Sequence, residues 1–163
     1  MKYRWLLQAV TVAFVSMFWV AAAPVAFAEA PVQGTGTDTI TLSPMLERVA
    51  DGNTFIDYTF TESLLGIVNG TRVGSGELVI HPDGSVNTQN AGIFTGTIAG
   101  RSGTAVMHFR GSGTFAYAHG SLTVTDGTGG LAGVHAEGTS AGSATGPNTL
   151  AGTNSFKVHF SAS

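Results

Sequence analysis

The sequence predicts an all-β protein of eight or nine antiparallel strands, and three observations predict it. Beyond residue 30, Gly, Thr, Ser and Val dominate while the strong helix formers Lys, Glu, Gln and Leu are scarce. Short runs with apolar residues at every second position recur, separated by clusters of Gly, Pro, Asn and Asp. No long stretch after residue 30 carries the 3.6-residue apolar period of a helix. Antiparallel strands in this number close on themselves or stack as two sheets, because open edges invite aggregation, so barrel and sandwich are the two architectures.

Taken in order, residues 1–28, MKYRWLLQAVTVAFVSMFWVAAAPVAFA, open with Lys2 and Arg4, continue as an apolar stretch and close on small residues at Ala26 and Ala28. That is the layout of a secretory signal, with cleavage expected before Glu29 and an exported, extracellular or periplasmic destination. The competing reading is an uncleaved anchor, since Val10 to Ala28 is uncharged and long enough to span a bilayer. Pro24 and the small-residue end favour cleavage, which leaves no integral membrane span. The expected organisation is then a lead-in with an N-terminal strand over 29–52 and a main barrel over 53–163, together one domain.

Without Lys2 and Arg4 the chain holds five cations against ten acidic residues, a formal balance of −5. A surface so short of Lys and Arg has no footprint for nucleic acid or anionic lipid. The absence of cysteine excludes a disulfide framework.

Strands are expected over Gly34–Leu42, Thr54–Thr61, Leu65–Val68, Val73–His81, Ser85–Ile98, Gly103–Arg110, Thr114–Val124, Val134–Gly142 and Asn154–Ser161. The one helical candidate is a turn or two over residues 43–50, SPMLERVA, where Ser43 can cap and Pro44 takes the first helical position. Asn69-Gly70 reads as a hairpin turn because both residues tolerate positive φ. His81-Pro82-Asp83-Gly84 reads as a tight turn. Gly111-Ser112-Gly113 reads as a three-residue hairpin loop that sets Phe109 against Phe115, Met107 against Tyr117 and Ala105 against His119. This register gathers Ala105, Met107, Phe109, Phe115, Tyr117 and His119 on the interior face and leaves His108 and Arg110 in solvent. The same alternation marks Ile56, Tyr58 and Phe60, and again Phe156, Val158 and Phe160.

GTIAGRSGT, residues 96–104, has the look of a phosphate loop, but only three residues separate Gly96 from Gly100, Arg101 stands where lysine is required, and no helical pattern follows. Gly100 and Gly103 are instead expected to bracket a turn between strands. Looser glycine fingerprints at Gly111 and Gly127 run into strand-like sequence, which denies a pyrophosphate its helix N-terminus.

The segments FTGTIAGRSGTAVMHFRGSGTF and SLTVTDGTGGLAGVHAEGT, within a match from about Tyr58 to Gly138, resemble the bacterial family called domain of unknown function 3224. That family in turn resembles the allene oxide cyclase and dirigent type of β-barrel. The resemblance implies a calycin-like antiparallel barrel of eight strands. It supplies no catalytic residues, since the family has none established.

A barrel of this size holds one small ligand or fills with its own side chains. The candidate ligand-binding residues are Tyr117, His119, Phe115, Phe109 and Phe60, the two polar tips being able to orient a ligand; the alternative is an ordinary core Tyr and His. His135 and Glu137 share a strand face and read as a solvent-facing pair. His81, His108, His119, His135 and His159 follow no metal-ligand spacing, and no nucleophile elbow is present, so neither metal nor cofactor nor catalytic residue is expected. The functional expectation is a binding module for a small apolar molecule, with a lumenal cyclase or isomerase and a structural surface protein as alternatives.

Overall fold

The computed structural model describes residues 29–161. The stretch read as an export signal lies outside them. Eight strands follow one another around a closed barrel: β1(Val32–Ala50), β2(Asn53–Gly66), β3(Val68–Ile80), β4(Val86–Ile98), β5(Arg101–Gly113), β6(Tyr117–Gly129), β7(Val134–Gly146) and β8(Thr149–Phe160). Every neighbour pair is antiparallel, and β1 closes the ring by pairing with both β2 and β8. Of the two architectures the composition allowed, closure wins because it alone removes long sheet edges. No helix among the described residues is long and apolar enough to cross a membrane.

Alternation sorts the side chains into lumen and solvent. On β4 the row Val86, Asn90, Phe94 and Ile98 is buried, while Asn87, Gln89, Ala91 and Ile93 face out. One end of the barrel is packed solid: Leu64, Val68, Phe94, Ile98, Leu131 and Val134 are each at most 1% exposed, and Ile67 and Ala99 pack against them from the turns. Full burial of a side chain of this kind contributes about 1.5–3 kcal/mol, so this half carries most of the stability.

The tight turn inside residues 96–104 is Ala99-Gly100, both at positive φ (49° and 81°), as a two-residue hairpin demands. Gly103 is no bracket of that turn. It lies within β5, paired with Gly96 and Gly129. The arginine of this stretch is used structurally: Arg101 pairs with Glu29 and its guanidinium lies 4.0 Å from the Phe160 ring centroid. The His81–Ser85 turn forms as expected, with His81 N–H donating to the Ser85 carbonyl and Ser85 donating from both N–H and Oγ to Asp83.

Four further local expectations are corrected. Residues 43–50 form no helix; they extend β1, pairing with Asn53–Thr59 of β2 through a bulge between Pro44 and Leu46. An isolated eight-residue helix is marginal, whereas the ladder satisfies the backbone, and the bulge accommodates a residue without an N–H. Asn69-Gly70 is not a turn. Both residues lie in β3, and the chain reverses at Gly66-Ile67, with Ile67 donating to the Thr35 carbonyl. Leu65–Val68 is therefore no separate strand, and eight rather than nine are present.

The fourth correction matters most for function. Gly111-Ser112-Gly113 belongs to β5, and the chain turns at 114–116, closed by a bond from Thr114 N–H to the Tyr117 carbonyl. Phe109 thus faces Leu122, Met107 faces Val124 and Ser112 faces His119. Each partner on β6 moves by seven residues, an odd number, which turns Tyr117 and His119 to the outside while leaving Ala105, Met107 and Phe109 inside, because a strand's faces alternate at every residue. The gain is clear: Leu122 and Val124, 2% and 0% exposed, would face water in the other register.

Candidate functional site

The half of the barrel opposite the solid end is hollow. A cavity of about 210 Å³ opens there, walled by Ile40, Leu42, Leu78, Phe109, Leu122 and Leu150, with Phe115 and Pro147 at its mouth. It exceeds the roughly 150 Å³ that suffices for a benzene-sized guest. Its walls follow from strand alternation, since Ile40 and Leu42 on β1, Leu78 on β3 and Leu150 on β8 are inward members of their rows.

The inner end of this cavity is charged. Asp38 of β1, Glu62 of β2 and Arg72 of β3 all point into the lumen and line it. Glu62 and Arg72 are direct cross-strand partners, 5% and 1% exposed, and Arg72 Nε stands 2.6 Å from Glu62 Oε2. The guanidinium also lies over the Phe60 ring at 4.7 Å. Burial raises the Glu62 pKa above the usual glutamate value; Arg72 opposes this and the nearby Asp38 charge reinforces it. Asp38 Oδ1 accepts from Asn154 Nδ2 at 3.1 Å and from Ser140 Oγ at 3.4 Å.

A second polar group sits beside the first. The Tyr58 and Thr88 hydroxyls share a hydrogen bond of 2.8 Å, and Asn90 Nδ2 donates to Tyr58 Oη at 3.2 Å. Tyr58 and Asn90 belong to β2 and β4, on either side of β3, and the bond between them crosses over Gly76. A Cβ there would stand 2.7 Å from the Tyr58 hydroxyl, so only glycine lets the two side chains meet. Among the described residues, Arg72 Nη1, Asn90 Oδ1 and Asn154 Oδ1 are buried without a hydrogen-bond partner, and the close approach of Arg72 Nε to Glu62 Oε2 is an ion pair without hydrogen-bond geometry.

Of the residues singled out from the sequence, Phe109 lines the cavity and Phe115 stands at its mouth, 59% exposed. Phe60 is buried beneath Arg72. Tyr117 and His119 face outward, their rings 5.9 Å apart, and do not join the lumen. His135 and Glu137 are exposed on the outer face of β7, where His135 stacks on His159 with ring centroids 5.2 Å apart. No three or more His, Cys, Asp or Glu among the described residues are grouped to hold a metal ion. Asp38, Glu62, Arg72 and Asn90 escaped the sequence reading. For Glu62 a signal existed, since it continues the alternation of Ile56, Tyr58 and Phe60 by one step. Arg72 stands among inward glycines at positions 70, 74 and 76, so no apolar rhythm marks its face.

The fold is similar to that of a solved protein of unknown function from the domain of unknown function 3224 family, from Shewanella oneidensis MR-1. The TM-score is 0.64 and the identity 18%, over 81% of this chain and 99% of that one. No protein-family model and no curated protein matches the chain.

Proposed function

We propose that the chain is a distant member of the domain of unknown function 3224 family, exported by its N-terminal segment, and that its barrel binds one small, largely apolar molecule in the lumen. The observation that carries the reading is the cavity itself. A natural core packs to crystal-like density, whereas this barrel keeps a cavity with apolar walls, an open mouth and a few convergent polar groups, the form that a small-molecule site takes. The fold likeness and the Phe-Thr-Gly and Gly-Arg-Ser-Gly segments support the family reading. The run from Lys2 to Ala28 supports export.

Titration with 1-hexanol, followed by the methyl and aromatic NMR signals of Ile40, Leu42, Leu150 and Phe109, tests the binding. Saturable shifts at those residues, weakened at least ~10-fold in Ala118→Leu, which fills the cavity from β6, are expected; each 1.4 kcal/mol of lost contact is about tenfold. Absence of any shift at the lining residues overturns the reading.

One observation favours a second reading, an isomerase or cyclase of the allene oxide cyclase kind. Glu62 is a carboxyl with raised pKa in the wall of an apolar cavity, the setting in which a carboxylic acid can serve as proton donor. Turnover of an unsaturated apolar substrate that vanishes in Glu62→Gln, with hexanol binding kept, would favour it over simple binding.

A further inference from the structure

The polar groups facing this cavity do not balance, and the imbalance has a sign. Asp38 and Glu62 bring two carboxylates against the single guanidinium of Arg72. Arg72 has its counter-ion in Glu62, 2.6 Å from its Nε, and its guanidinium rests on the Phe60 ring, although Nη1 keeps no hydrogen-bond partner among the described residues. Asp38 has no ion-pair partner among the described residues. Both hydrogen bonds it accepts end on Oδ1, which leaves Oδ2 without a hydrogen-bond partner among the described residues. Asp38 is also the less buried of the two carboxyl groups, half-exposed where Glu62 is enclosed. Asn90 in the same lining, only 8% exposed, and Asn154 beside Asp38, 5% exposed, hold further unsatisfied acceptors in their Oδ1 atoms.

Resting on the reading of the cavity as a ligand site, we infer that its ligand carries a cationic amino head on an apolar body. The ammonium group pairs with Asp38 Oδ2, its remaining N–H bonds face acceptors such as Asn90 Oδ1, and the hydrocarbon lies against Ile40, Leu42, Phe109 and Leu150. A carboxylate head could answer only Arg72 Nη1, on a guanidinium that Glu62 already pairs, and would stand beside Asp38 and Glu62, whose like charges repel it. An alcohol gains a hydrogen bond but no charge pairing, and charge-assisted bonds are roughly twice as strong as neutral ones.

The test compares hexylammonium, 1-hexanol and hexanoate on the whole protein by calorimetry at mildly alkaline pH. Their tails are matched and only the heads differ. Hexylammonium is expected to bind at least ~10-fold more tightly than hexanol, about 1.4 kcal/mol, with hexanoate weakest. In Asp38→Asn the preference for the amine over the alcohol should be lost, the ratio of the two within the variant being the readout, and a cooperative urea transition reports that the variant is folded. Equal binding of amine and alcohol, preference for hexanoate, or an amine preference that survives Asp38→Asn overturns the inference and leaves the cavity reading standing. Failure of all three probes overturns both. Should Asp38→Asn not fold, the ranking of the three heads on the unaltered protein decides alone.

Discussion

Glu62 is pulled in two directions: enclosure favours its neutral form, Arg72 favours the anion, and enclosure with the Asp38 charge prevails, so its pKa in the folded barrel lies above that of the unfolded chain. The folded state therefore holds this proton more tightly than the unfolded state. The stabilisation so gained is complete below the unfolded value and is lost as pH rises through the folded one. Urea midpoints measured against pH for the native chain and for Glu62→Gln check it. Relative to the variant, the native chain should be most stable in acid and should lose that advantage as pH climbs. An advantage that grew with pH would mean that the Arg72 attraction dominates instead. Among single residues, Glu62 could be placed in the lumen from sequence by counting in steps of two from Ile56. Arg72 could not, because a lone arginine between glycines reads as a surface residue until closure of the ring encloses it.

Strand β1 is paired on both sides only as far as Thr41 and Leu42; β8 ends its ladder at Thr41, and Leu42 N–H reaches the Asn148 carbonyl. From Ser43 to Ala50 it pairs with β2 alone and is exposed throughout, with Met45, Leu46 and Val49 58–71% exposed. Pro44, the bulge after it and the charges of Glu47 and Arg48 are the devices that keep such an edge from pairing with another chain. Hydrogen exchange gives the check. Amides of residues 43–50 that point away from β2 should exchange at nearly unprotected rates, while those of 34–41 remain protected; uniform protection along β1 would show the edge to be covered. At this scale most strands were legible to within a few residues, because alternation and punctuation are local. The slip at Gly111-Ser112-Gly113 and the false turn at Asn69-Gly70 have one cause. In this chain glycine is placed so that neighbouring strands can approach on the lumenal face, as with Gly74 opposite Gly92, where a Cβ on Gly74 would meet the Ala91 carbonyl at 2.0 Å. A glycine serving that purpose is indistinguishable in sequence from one that makes a turn.

The molecule as a whole is a tube with a packed half and a hollow half. Strand number and the need to remove edges left barrel and sandwich, and the family resemblance pointed to the barrel; the division of labour between the halves was not legible, since it depends on which inward side chains meet across the lumen. Truncation should reveal it. Phe94→Ala in the packed half should cost about 3–5 kcal/mol, whereas Ile40→Ala, whose side chain already borders open space, should cost clearly less than the usual 2–5 kcal/mol for such a change. Urea unfolding of both variants measures the difference, and equal losses would mean the two halves are packed alike. The blocked end has a consequence for kinetics. With Leu131 and its neighbours acting as a stopper, any guest must come and go through one doorway, beside Phe115. The Thr114–Tyr117 turn then sets how long a guest stays, while the wall far below sets which guest is kept.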